Sequence, residues 1–186
     1  AGKIFVEAQR LIALVGDVIK ISQLDEGCLP YQKEETDLYV LAKDTLERLR
    51  DPAKRRQVSL FLEGEHAVLA TTQPILEEVL YNLCDNAIKY NHPNGKVTVT
   101  VLNGKNTVSL SVADTGIGIP SADQARVFER FYRVDKSHSK EIGGTGLGLS
   151  IVKHGAAYLG AKVELDSQLD KGSVFRLIWG KNSSLS

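Results

Sequence analysis

Apolar positions in the first part of the chain recur at helical spacing. From about Lys3 to Leu24, the residues Ile4, Ala8, Leu11, Val15 and Val18 follow alternating steps of four and three, the seam of a helix that packs on another helix. Phe5, Ile12 and Ile19 widen that stripe. A helix this apolar needs a partner, either in a bundle or on the rest of its own chain. Asp25-Glu26-Gly27, Pro30 and a charged run to Asp37 break the pattern as a linker does. Leu38 to about Arg50 is a second amphipathic helix. Gln57–Leu62 and His66–Ala70 are predicted as short strands separated by Glu63-Gly64-Glu65, and a long helix follows from Gln73 to Tyr90, with Pro74 suited to its first turn.

Two segments then alternate with period two. Val97, Val99 and Val101 are interleaved with Thr98 and Thr100, and Val108, Leu110 and Val112 with Ser109 and Ser111. Asn103-Gly104 between them predicts a hairpin turn. Leu147–Leu159 is helical, and Lys162–Asp166 with Val174–Trp179 forms a closing hairpin. This order predicts an α+β fold, a two-layer sandwich with helices over one face of a mixed sheet, preceded by one long bundle helix.

Composition narrows the function classes. With 42% hydrophobic and 25% charged residues, the 186-residue chain is an ordinary globular mixture. Lys+Arg and Asp+Glu balance at 23 each, so no global field draws it to nucleic acid or membrane, and an anion must be held by a local site. Cys28 and Cys84 lie far apart with no CxxC partner, which argues against zinc and disulfides and fits a reducing cytosol. No apolar run is long enough to span a bilayer. The chain has no Met and opens with Ala1-Gly2, which reads as a piece of something longer.

The candidate chemistry starts on the long helix. Glu78, Asn82, Asn86 and Tyr90 recur every four residues with Lys89 beside them, while Leu76, Val79, Leu80 and Leu83 take the opposite side. Such a face lines a polar pocket or simply meets solvent. Asn supplies a neutral oxygen that suits Mg²⁺ when phosphates bring the charge, and Lys89 could meet phosphate as a point charge. Asp114 is in register with Val108, Leu110 and Val112, so its carboxylate turns to the apolar face and needs a donor; an adenine amino group is one, a simple Asp-initiated turn another. Gly116 and Gly118 bare the backbone where something could approach. Gly143-Gly144-Thr145-Gly146-Leu147-Gly148-Leu149 opens a helix, an arrangement that frees N–H groups for an anion, although it lacks the Walker A ending and does not follow a strand. Between the glycine clusters, Phe128, Arg130, Phe131, Tyr132 and Arg133 suggest a lid over a charged ligand, with Phe128 and Phe131 also able to serve in packing.

Together these segments resemble the histidine kinase branch of the ATPase/kinase superfamily that includes gyrase, heat-shock chaperones and mismatch-repair ATPases. Residues 82–90 look like its N box, 114–120 its G1 box, 128–133 its F box and 144–149 its G2 box, in the family's order, over roughly Glu35 to Gly180. The resemblance implies the Bergerat-type ATP-binding fold. It also implies that Asn86 holds Mg²⁺ with Asn82 in the same polar wall, that Lys89 and Arg133 contact phosphates, that Tyr90 packs beside the nucleotide, and that Asp114 receives the adenine amino group. Gly116, Gly118 and Arg130 join the nucleotide-binding set, and Gly144, Thr145, Gly146, Leu147 and Gly148 cradle the phosphates and hinge the lid. Asn82, Lys89 and Arg133 are the catalytic candidates.

In the related ATPases the position of Asn82 is a glutamate that activates water. An amide is no general base, so slow ATP hydrolysis is expected; Glu78, one turn earlier, is at best a helper. The segment Gly172-Ser173-Val174-Phe175 is similar to the family's G3 box with Val in place of Thr, which predicts a weakened adenine-side hydrogen bond. No H box is present, since His66, His92, His138 and His154 all lie inside the catalytic region without the acidic and proline context, and are expected to be structural or superficial. Residues 1–27 resemble the second helix of a dimerisation and phosphotransfer domain, with 28–36 a linker, 37–181 the catalytic domain and 182–186 a tail. The implied activity is binding of ATP with Mg²⁺ and transfer of the γ-phosphoryl to a His on an absent helix. A response regulator receiver domain would be the next partner, and the parent a homodimer through its bundle helices, anchored to a membrane with this part in the cytoplasm. An anti-sigma-type serine kinase and a non-catalytic nucleotide-sensing or dimerisation module are the alternatives.

Overall fold

The computed structural model describes residues 1–134 and 142–181. Helix α1 (Gly2–Glu26) runs into the body and ends on Gly27. Strand β1 (Glu34–Asp37) leads into α2 (Leu38–Arg48), capped by Asp37, whose side chain accepts the N–H groups of Tyr39 and Val40. The cap also holds the His66 ring at 2.7 Å. The small desolvation of the Asp37 carboxyl is outweighed by these bonds, and its pKa lies below the usual range.

A short α3 (Arg50–Arg55) continues the segment expected as one helix to Arg50. Then come β2 (Ser59–Gly64), β3 (Val68–Thr71), α4 (Gln73–Lys89), β4 (Lys96–Asn103), β5 (Thr107–Asp114), α5 (Gly148–Tyr158), β6 (Lys162–Gln168) and β7 (Gly172–Gly180). The main sheet has five strands in the order β2-β4-β5-β7-β6. Only β2 and β4 run parallel, and the remaining neighbours are antiparallel, so the sheet is mixed, as the α+β reading expects. The predicted strands around Glu63-Gly64-Glu65 do not pair with one another. Instead β3 joins β1 in a separate two-stranded sheet, and β1 itself begins inside the stretch read as linker.

Alternation drives the core. Val97, Val99 and Val101 of β4 and Val108, Leu110 and Val112 of β5 are all at most 1% exposed, and α4 buries Ile75, Leu76, Val79, Leu80 and Leu83 in the same cluster. Each such side chain contributes about 1.5–3 kcal/mol when fully buried. The only tryptophan, Trp179 on β7, is buried in this layer, and its indole N–H donates to the Leu159 carbonyl at the end of α5 over 3.2 Å.

Helix α1 packs in part on the rest of its own chain. Its last turns bury Ile21 and Leu24 against the body, yet the predicted seam stays open, with Ile4 78%, Leu11 59% and Val15 56% exposed. Among the described residues no helix is long and apolar enough to cross a membrane.

Candidate functional site

A cavity of about 560 Å³ opens between the C-terminal half of α4, the ends of β5 and β7, and the loop that enters α5. That is the size range of small-molecule and cofactor sites. Asn82, Asn86, Lys89 and Tyr90 line one wall, Asp114 and Gly118 the base, and Arg133, Gly144, Thr145, Gly146 and Gly148 the far rim. The helix row and the strand-end carboxylate, read separately from the sequence, thus face one hollow.

The long helix is amphipathic in the expected sense. Its apolar side is bound to the sheet, and the four-residue repeat carries Asn82 and Asn86 to the cavity. The Asn82 amide nitrogen donates to the Glu78 carbonyl at 2.9 Å. A side chain added at Gly148 would come within 3.1 Å of Asn82 Oδ1, so that oxygen faces the first turn of α5. Lys89 is held by Asp85 at 2.6 Å. Glu78 does not line the cavity; it turns to α1, where Lys20 meets it at 3.1 Å.

Asp114 ends β5 on the buried side, as the alternation requires. Burial pushes its carboxyl above the ordinary value, and the N–H groups of Gly116 and Ser173 offset part of that rise. The Gly116 N–H lies 2.8 Å from Oδ1. Gly116 itself stands behind Asp114, outside the cavity lining, and the glycines here serve close approach within the chain. A Cβ at Gly116 would sit 2.3 Å from the Tyr90 carbonyl, and one at Gly118 (φ +66) 2.0 Å from that of Gln168.

The aromatic and arginine segment divides. Phe128 packs edge-on against Phe175 with ring centroids 6.0 Å apart, Arg126 stacks over Tyr132, and Phe131 is exposed. Arg133 reaches the rim and donates to the Gly144 carbonyl. Arg130, expected in the binding set, does not line the cavity, because Asp25 of α1 holds its guanidinium at 2.9 Å. Leu147 is likewise fully buried beneath the rim, against Ile21 and Ile151, where its side chain fastens the loop to α1.

The pleat of β7 turns Ser173 and Phe175 into the cavity, whereas Val174 is not part of its lining; the Ser173 hydroxyl meets that of Ser167 at 2.8 Å. Sequence reasoning also missed Arg56, Asp85 and Asn91 in the lining. Arg56 donates to the Lys89 carbonyl at 3.2 Å, placing a cation at the C-terminus of α4. Of the histidines, His66 bonds Asp37 and His154 bonds Asp25, while His138 lies outside the described residues. Cys28 is exposed and Cys84 buried, both free thiols. Burial pushes the Cys84 thiol up. Among the described residues no group of three His, Cys, Asp or Glu is placed to hold a metal ion.

Residues 71–182 match the family described as histidine kinase-, DNA gyrase B- and HSP90-like ATPase. The sensor-like histidine kinase SenX3 of Mycolicibacterium smegmatis is 37% identical over 180 residues, which are 95% of this chain and 46% of that protein. The circadian input-output histidine kinase CikA of Synechococcus elongatus is 32% identical over 175 residues, 92% of this chain and 23% of CikA. Full-length ShkA, solved in complex with AMPPNP, superposes with a TM-score of 0.78 at 27% identity, over 90% of this chain and 35% of that one. The chain therefore spans about a quarter to a half of the length of these relatives.

Proposed function

The chain belongs to the family of histidine kinase-, DNA gyrase B- and HSP90-like ATPases, as the catalytic ATP-binding domain of a sensor histidine kinase, and from that premise we propose that its cavity binds ATP with Mg²⁺ and passes the γ-phosphoryl to a histidine on a helix outside this sequence. A response regulator receiver domain takes the phosphoryl next. The observation that supports this best is the meeting of Asp114, Asn86 and the α5 N-terminus around one cavity of about 560 Å³.

Asp114 accepts the adenine amino group, and Tyr90 and Ile117 flank the base. The phosphates run toward the start of α5, where unpaired N–H groups and the helix dipole favour negative charge. Lys89 exchanges Asp85 for a phosphate oxygen, and Arg133 adds a second cation from the rim. The donor set fits Mg²⁺, because amide oxygens without a carboxylate cluster leave the triphosphate to supply the charge. Asn86 would hold the ion, which when bound neutralises charge on the phosphates. Asn82 cannot take a proton from water, and its amide is already oriented by Glu78, so ATP persists until an acceptor arrives. Residues 1–27 serve as the second helix of the dimerisation domain, with their open apolar face as the seam of a homodimer. Residues 28–36 link that helix to the catalytic domain at 37–181, and the whole works on the cytoplasmic side of an anchored parent.

The test is to incubate the purified chain with γ-labelled ATP, Mg²⁺ and a separate polypeptide carrying the missing helix. Acid-labile label on that polypeptide's histidine, absent with Asn86→Ala, is the expected result. Acid-stable phosphoserine on a partner, or rapid phosphate release without any acceptor, would overturn the assignment.

A further inference from the structure

Behind the base of the cavity, Ser173 and Ser167 stand opposite each other in the β6–β7 pair. Ser173 lines the cavity with Asp114 and is 6% exposed. Ser167 is half-buried and takes no part in the lining. Its hydroxyl has three polar neighbours. It accepts the Ile119 N–H at 2.8 Å, lies 3.0 Å from the Gly172 carbonyl and meets the Ser173 hydroxyl at 2.8 Å. The side-chain amide of Gln124 braces this arrangement, donating to the carbonyls of Ile119 and Ser167 at 3.0 and 2.9 Å.

A hydroxyl has one proton to give and two lone pairs to accept with. The Gly172 carbonyl has no proton, so the contact with it takes the proton of Ser167. Both lone pairs of Ser167 then accept, one from Ile119 and one from Ser173. Only this assignment makes all three contacts hydrogen bonds, and it spends the Ser173 proton away from the cavity. The Ser173 N–H is engaged as well, by the Asp114 carboxyl. Ser173 therefore turns to the cavity an oxygen that only accepts, beside a carboxylate that in its ionised form also only accepts.

We propose that Ser167 is a positioning residue for base selection: by fixing the proton of Ser173 it leaves the base of the cavity with acceptors alone. The inference rests on reading the cavity as a nucleotide site, and it adds the feature that separates amino purines from oxo purines there. An untethered serine hydroxyl is ambivalent, since it donates to a carbonyl as readily as it accepts from an amino group. Held by Ser167, Ser173 loses the first option. An amino group brings protons to both acceptors. An oxo purine keeps a ring N–H for Asp114, but its carbonyl then faces oxygen with no proton between them and is buried unpaired. Ser167 touches neither ligand and acts through Ser173.

The test is calorimetry on the full 186-residue chain with Mg²⁺ and the non-hydrolysable imido analogues of ATP and ITP. The readout is the ratio of the two affinities, adenine over hypoxanthine. Ser167→Ala frees the Ser173 proton and is expected to lower that ratio about three- to ten-fold, mainly by tightening the oxo analogue. Ser167→Thr keeps the hydroxyl and restores the ratio. A purely structural role would weaken both analogues together, and an unmoved ratio overturns the proposal. In a Ser173→Ala background, Ser167→Ala should shift the ratio no further; a second drop there overturns it too. Should Ser167→Ala fail to fold, Ser173→Ala alone decides, because removing an acceptor lowers the ratio, whereas a ratio that holds or rises refutes the proton assignment. Binding of neither analogue to the unsubstituted chain sinks the nucleotide reading, and base selection with it.

Discussion

Replacing Asp114 with Asn exchanges one oxygen for an amide nitrogen at nearly constant volume, so it removes the charge and an acceptor without opening a void. In the empty protein the carboxylate is partly buried and accepts the N–H groups of Gly116 and Ser173. Burial raises its pKa above the ordinary 3.8. A carboxyl whose folded pKa is raised binds its proton more tightly when folded, so its contribution to stability falls as pH climbs through the window just above 3.8 and stays unfavourable at neutral pH. Asn escapes that penalty and keeps an oxygen for Gly116, so the empty variant should melt at the same temperature or higher. Binding should move the other way. In the proposed site the carboxylate would form a charge-assisted bond with the adenine amino group, of about 1.5–3 kcal/mol, whose loss is expected to weaken affinity by about ten- to 150-fold. Because the bond needs the ionised form, affinity of the unsubstituted chain should rise with pH through the same window, whereas that of the variant stays flat there. Calorimetry with an ATP analogue from about pH 4.5 to 7.5, with thermal denaturation in parallel, reads both effects. An affinity change below about twofold would refute the role of Asp114 at the base, and a strongly destabilised variant would make its carboxylate a structural brace.

Three further outcomes follow from the geometry. Gly118 and Gly143 share nearly the same φ, +66 and +71, but a Cβ at Gly118 would lie 2.0 Å from the Gln168 carbonyl, while among the described residues nothing stands within 4 Å of one at Gly143; Ala at Gly143 should cost about 1–2 kcal/mol in urea denaturation, and Ala at Gly118 at least about 2 kcal/mol more, with equal values refuting the close approach. Asn86→Ala should abolish the Mg²⁺ dependence of analogue binding, seen by titration with and without the ion. Arg56→Ala removes the bond to the Lys89 carbonyl and a cation from the lining; a few-fold loss of affinity is expected, with a stability change under about 1 kcal/mol by denaturation.

Local periodicity made the two halves of the site legible. The four-residue row on α4 and the alternation of β5 each decide which way a side chain points, and neither depends on distant contacts. What stayed hidden arises from tertiary neighbours. Arg56 has no local pattern around it, and it reaches the lining through its bond to the Lys89 carbonyl at the end of α4. Gly116 and Gly118 read as gaps left for a ligand, but what approaches them most closely is carbonyl oxygen from Tyr90 and Gln168. The Ser173 and Val174 assignment turned on a single step of pleat, where an offset of one residue reverses every face. Arg130 looked equivalent to Arg133 by composition, and Asp25, more than a hundred residues earlier, separates their roles.

The lone indole of Trp179 is hydrogen-bonded to the carbonyl at the tail of the helix whose head borders the cavity. An optical reporter therefore already stands at the end of that helix far from the cavity, with no second tryptophan to blur its emission. Stopped-flow fluorescence could follow that helix in the native chain without any attached dye.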